Sequence, residues 1–87
     1  MKMIILILKD SDSDTVTQAL TTSDYRVTRV ASTGGFLRSG VVTLLLGVED
    51  DRVDSAISLI REKIAKAVSG EKRATIFVVP VEKFEQV

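Results

Sequence analysis

Residues 30–42, VASTGGFLRSGVV, bring three kinds of chemistry into one short span. Gly34 and Gly35 can take backbone angles closed to other residues and so present consecutive N–H groups to an anion. Arg38 carries a guanidinium whose paired donors match a phosphate. Phe36 offers a flat face on which a base can stack, worth about 1–3 kcal/mol in nucleic-acid complexes. Arg26 and Thr28 lie a few residues upstream, on the polar side of an alternating run, and point toward the same place. The set suits a phosphate joined to a base. The same residues also make an ordinary connection between strands, with an exposed arginine and a phenylalanine packed on the core. Glycine-rich turns are common, and the spacing is neither that of a P-loop nor that of the dinucleotide fingerprint. Chemistry alone therefore leaves the plain connection as the first reading.

The acidic segments are the other place where chemistry could reside. Asp10, Asp12 and Asp14 alternate with serines, as metal-binding loops do, but an EF-hand needs glycine at its sixth position and glutamate at its twelfth. Counted from Asp10, those places hold Thr15 and Thr21. Capping of a helix by Asp10 or Ser11 is the expected role. The carboxylates of EDDRVD, residues 49–54, complement a helix dipole in the same way. The chain has no histidine and no cysteine, so the commonest general base, the commonest metal ligand and thiolate chemistry are all missing. Its hydroxyls have no usual base to activate them. Neither catalysis nor a cofactor is expected.

Six elements must position these residues. MKMIILILKD reads as a buried strand by its length and its Ile and Leu content. A short, threonine-rich helix follows, with Val16, Ala19 and Leu20 on one face. YRVTRVAST alternates, Tyr25 and Val27 on one side and Arg26 and Thr28 on the other, and the phase slips at Val30 as a bulge or twist would make it. VVTLLLGV is a third strand, interrupted by Gly47. From Glu49 to Gly70 runs the clearest helix, with Val53, Ala56, Ile57, Ile60, Ile64 and Ala67 in one stripe and Gly70 as its stop. RATIFVVPV is the fourth strand, with Pro80 at its end, and EKFEQV is a short tail. The order β-α-β-β-α-β is the ferredoxin-like α+β pattern, an antiparallel sheet with two helices on one face.

Eighty-seven residues suit one domain, residues 1–87. Twelve basic and twelve acidic residues cancel, so no electrostatic excess points to nucleic acid. The apolar start is too short to span a membrane and lacks the flanks of a signal peptide, which predicts a cytoplasmic protein. One feature of the strands sets a further condition. MIILIL, VVTLLL and TIFVV do not alternate: Ile5 and Ile7 point one way, Ile4, Leu6 and Leu8 the other. Helices cover only one face, and a monomer that leaves the other bare exposes a larger apolar patch than soluble proteins usually carry. Identical copies closing on that face are the expected solution.

The stretches TTSDYRVTRVASTGGFLRSG, VTLLLGVEDDRVDSAISLI and ATIFVVPVEKFEQ together resemble the P-II-like cyclic di-AMP receptor proteins over nearly the whole chain, and TGGFLR followed by GVEDDRVD is the most specific part. The resemblance implies ferredoxin-like subunits in a P-II-like homotrimer that binds the dinucleotide, or a related adenine nucleotide, in clefts between subunits, without catalysis, and relays it to a protein target. It also implies the ligand residues: Arg26 and Thr28 on the second strand, Gly35, Phe36, Leu37 and Arg38 in the connection, Gly47 on the third strand, and Gln86 in the tail. Two places depart from the pattern. Val41 stands where the family commonly has an asparagine, and VSGEKRA joins the second helix to the last strand directly, without the family's long glycine-bearing insertion. A P-II-like module that binds another nucleotide, or none, is the alternative.

Overall fold

A computed structural model describes residues 1–30, 40–64 and 74–87. The elements run β1 (Lys2–Lys9), α1 (Asp10–Thr22), β2 (Val27–Val30), β3 (Val41–Val48), a single 3₁₀ turn (Asp50–Arg52), α2 (Val53–Lys63) and β4 (Ala74–Pro80). The sheet order is β2-β3-β1-β4, and every neighbouring pair is antiparallel. β3 lies between β1 and β2, and β1 lies between β3 and β4, so each helix crosses over one intervening strand. This is the split βαβ arrangement that the order of elements implies.

Strand alternation sorts the apolar residues as expected. Ile4, Leu6 and Leu8 are 0–2% exposed and lie with Val42, Leu44, Leu46 and Val48 of β3 against the helices. Val16 and Leu20 of α1 and Ala56 and Ile60 of α2 complete this core, with Tyr25 at its edge. The serine- and threonine-rich α1 thus stands on tertiary packing more than on propensity.

Four local details differ from the sequence expectation. Neither Asp10 nor Ser11 caps α1: β1 runs into the helix without a connecting residue, so Lys9 takes the cap position with extended backbone and no side-chain cap bond. Val30 is no bulge. The β2–β3 register continues unbroken from Val27↔Leu46 to Val30↔Thr43, which sets Val30 on the sheet face away from the helices. Gly47 does not interrupt β3; it pairs with Met3, and the strand runs on to Val48. Finally, α2 ends at Lys63, short of Gly70, because Ile64 is extended (φ −81°, ψ 132°). Gly70 and Ala67 lie outside the described residues.

The turn after α1 explains how β2 is launched. Asp24 has φ 67°, in the left-handed region that few side chains tolerate. Its N–H donates to the Thr21 carbonyl at 3.1 Å, and the Tyr25 N–H donates to the Leu20 carbonyl at 3.0 Å. That is a Schellman closure, with buried Tyr25 and Leu20 as its apolar pair. The Arg52 guanidinium stacks 4.1 Å from the centre of the Tyr25 ring and donates to the Ser23 carbonyl at 3.0 Å.

Candidate functional site

The sheet face that the helices leave bare is composed of rows crossing all four strands. Paired residues in antiparallel strands share a face. One row therefore reads Thr28, Leu45, Ile5, Phe77 from β2 to β4. The next, toward the β2–β3 connection, reads Val30, Thr43, Ile7, Thr75. On the other side lie Gly47, Met3 and Val79. Phe77 is 52% exposed and Val30 38%, whereas their counterparts on the helix side are buried in the two central strands. Apolar side chains thus occupy both faces of the sheet.

Three of the residues singled out from sequence meet at one corner of this face. Thr28 projects from β2 opposite Leu45 and is exposed. Gly47 lies one row away on β3, also exposed. Arg26 immediately precedes β2, and the β2–β3 register carried one residue further sets it opposite Gly47. A Cβ on Gly47 would lie 3.9 Å from the Met1 side chain, so the glycine leaves the backbone open rather than relieving a clash. Arg26, Thr28 and Gly47 thus occupy neighbouring register positions, and their guanidinium, hydroxyl and bare backbone are donors of the kind that suits a phosphate or sugar oxygen.

Gly35, Phe36, Leu37 and Arg38 lie outside the described residues. The stems of their connection are defined. Val30 ends β2, and Gly40, with φ 82°, leads into β3. The Gly40 carbonyl accepts from the Asp10 N–H at 2.7 Å. Gln86 is exposed in the tail, which begins with the Val81 N–H donating to the Met1 carbonyl at 3.1 Å. The tail therefore leaves the sheet at the end that also carries Met3 and Gly47.

Phe77 is the residue that sequence reasoning left out of the candidate site. The signal was there in TIFVV: with Ile76 facing the helices, period-two alternation sends Phe77 to the opposite face, beside Ile5.

Two further features lie off this face. The Met1 ammonium is 3.0 Å from Asp50 Oδ1, and that hydrogen bond, then the charge itself, holds the Asp50 carboxyl below its ordinary value. An open groove of about 470 Å³ runs along α2 and the turn after α1, lined by Ser23, Tyr25, Asp54, Ser55, Ser58, Leu59 and Glu62. It belongs to the helical layer and includes none of the candidate ligand residues.

The sequence matches the cyclic-di-AMP receptor family over residues 1–70, a stretch that takes in β1 through α2 and with them Arg26, Thr28, the β2–β3 connection and Gly47. The chain belongs to the cyclic-di-AMP receptor family. Among solved structures, it is similar to a functionally unknown protein from Pediococcus pentosaceus, with 31% identity, a TM-score of 0.77, and coverage of 99% of this chain and 96% of that one. That likeness extends beyond the family match to β4 and the tail, so the α+β architecture is shared over nearly the whole length. Among the described residues no helix is long and apolar enough to cross a membrane.

Proposed function

We propose that this receptor-family chain is a non-enzymatic, cytoplasmic signalling protein, one domain over residues 1–87. It binds cyclic di-AMP, or a related adenine nucleotide, in clefts where copies of the chain meet as a trimer, and relays that binding to a protein target. The observation that supports the reading is the placement of Thr28 and Gly47 on the bare face, with Arg26 opposite Gly47 in the continued register; the stems of the connection that holds Gly35, Phe36, Leu37 and Arg38 lie at the other end of β2. Arg26 and Arg38 supply phosphate donors, Thr28 a hydroxyl, Gly35 and Gly47 close backbone approach, Phe36 a stacking surface, Leu37 an apolar wall and Gln86 an amide for the base. The apolar rows on the same face supply the reason for copies to meet there.

Ligand binding then favours one arrangement of the β2–β3 connection, by no more than its difference in affinity between the arrangements. Titration calorimetry with cyclic di-AMP tests the reading. Heat from the wild type, and clear weakening in Arg26→Ala and Phe36→Ala, is expected. No heat at high micromolar ligand overturns it.

One position favours a second reading. Val41 places an apolar side chain at the head of β3, half-buried, where the resembling family commonly carries an amide. A module selective for a different nucleotide, or for a protein alone, follows from that loss. Thermal shift against adenine and guanine nucleotides separates the two, since a ligand selective for the native state raises the melting temperature.

A further inference from the structure

We infer that Asp10 is a positioning residue for the ligand site, holding the edge strand β2 and the head of β3 to the start of α1; the inference rests on the proposed ligand role of Arg26 and Thr28. β2 is four residues long and lies at the sheet edge, hydrogen-bonded among the described strands to β3 alone. A short edge strand with one partner is among the first elements to open locally. Yet this strand carries Thr28, and Arg26 immediately precedes it.

Asp10 reaches both stems of the β2–β3 connection. Its carboxylate Oδ1 accepts from Arg29 Nη2 at 2.9 Å, and Arg29 Nη1 stands 3.9 Å from Asp14. Its backbone N–H donates to the Gly40 carbonyl at 2.7 Å. Ser13 Oγ donates to the Asp10 carbonyl at 2.9 Å and stands 3.5 Å from Oδ1, which steadies the first turn from which both links start. Arg29 lies between Thr28 and Val30 in sequence but projects toward the helices, opposite Leu44 in register. A pull on its guanidinium therefore fixes the backbone of β2 while Thr28 is left free on the other face. The continuity of β1 into α1 makes this geometry: with no loop residue between them, the first helical carboxylate is set beside the strand two places away in the sheet.

The Asp10–Arg29 pair is about half exposed on both sides, so its effect is modest: the coupling of such pairs corresponds to roughly two- to fivefold in an equilibrium constant. The experiment combines titration calorimetry of cyclic di-AMP with backbone amide exchange along residues 27–30, referenced to Leu6 and Leu44. The proteins are the wild type, Asp10→Asn, Arg29→Gln, Arg29→Lys and the double variant Asp10→Asn/Arg29→Gln. Expected are a two- to fivefold rise in Kd and faster exchange in β2 for either neutral variant, near wild-type behaviour for Arg29→Lys, and a double variant no worse than the singles. Additive losses in the double variant, or unchanged exchange in β2, overturn the inference. If the wild type takes up no cyclic di-AMP, the proposed ligand falls instead, and the exchange measurements alone decide whether Asp10 holds β2.

Discussion

Replacing Phe77 with glutamate separates the demand for association from the demand for folding. Phe77 is 52% exposed on the bare face, in the row with Ile5, Leu45 and Thr28. An aromatic side chain buries about 150–250 Å², so roughly half of that, near 100 Å², remains to be covered by a neighbouring copy. At about 25 cal/mol per Å² this corresponds to roughly 2.5 kcal/mol for each copy of the residue in an assembly. Glutamate removes that gain and adds the cost of taking a carboxylate out of water, several kcal/mol unless it finds a partner. In the isolated chain the same change lies on an edge strand at an open position, and its effect on folding stays within about 1 kcal/mol.

The assay is sedimentation equilibrium over micromolar to millimolar concentration, paired with urea unfolding of each protein. The wild type is expected to sediment as an assembly well above the 9.5 kDa of one chain. Phe77→Glu is expected to fall to that mass, with its unfolding slope per molar denaturant nearly unchanged once both proteins are compared as monomers. A wild type that stays at one chain's mass throughout would refute the reasoning, because the bare face would then be tolerated without a partner. Assembly of Phe77→Glu with an unaltered dissociation constant would refute it too, by showing that copies meet elsewhere.

Three smaller perturbations test the local physics. Asp24→Gly at the α1 closure relieves a left-handed penalty of about 1–2 kcal/mol at a glycine entropy cost of about 0.5–1, for a net stabilisation of about 0.5–1 kcal/mol, read from the urea midpoint. Among the described residues Gly40→Ala meets no atom within 4 Å, so the expected loss is that of φ 82°, near 1 kcal/mol, and an unchanged midpoint would deny the strain. Asp50→Asn tests the Met1 contact through pH. Because the folded carboxyl is held below its ordinary value, its contribution is complete above about pH 4 and disappears as pH falls through the lowered value. Wild type and variant should therefore differ at neutral pH and converge in acid; a constant gap would show that the ion pair is not its source.

The sequence made the sheet legible because its signal is one of period. Ile4, Leu6 and Leu8 against Ile5 and Ile7 declare two apolar faces before any coordinates, and the order of elements restricts the topology to very few choices. Junctions were less legible. The absence of a side-chain cap at α1 follows from β1 ending where the helix begins, and α2 stops at Ile64 although the apolar stripe continues through it. An apolar Val30 on a half-polar strand looks like a slip of phase, but on a sheet with two apolar faces it is in phase. Phe77 is hard to assign for the converse reason, since within TIFVV an aromatic residue looks like core from either side.

The helical layer covers one side of the sheet, and on the proposed reading the other side serves two purposes. Its central rows, with Leu45, Ile5, Ile7 and Phe77, are apolar and suit contact between copies. Its corner at β2 and the end of β3 is polar or bare, with Arg26, Thr28 and Gly47. A contact that buries the rows leaves the corner at its margin, where donors are desolvated only on one side and a ligand can supply the other. The division falls within single strands: Leu45 and Gly47 are two residues apart on β3 and share a face. A shift of register by one residue would turn both away together, so on the proposed reading the strand register bears on the assembly surface and the ligand corner at once.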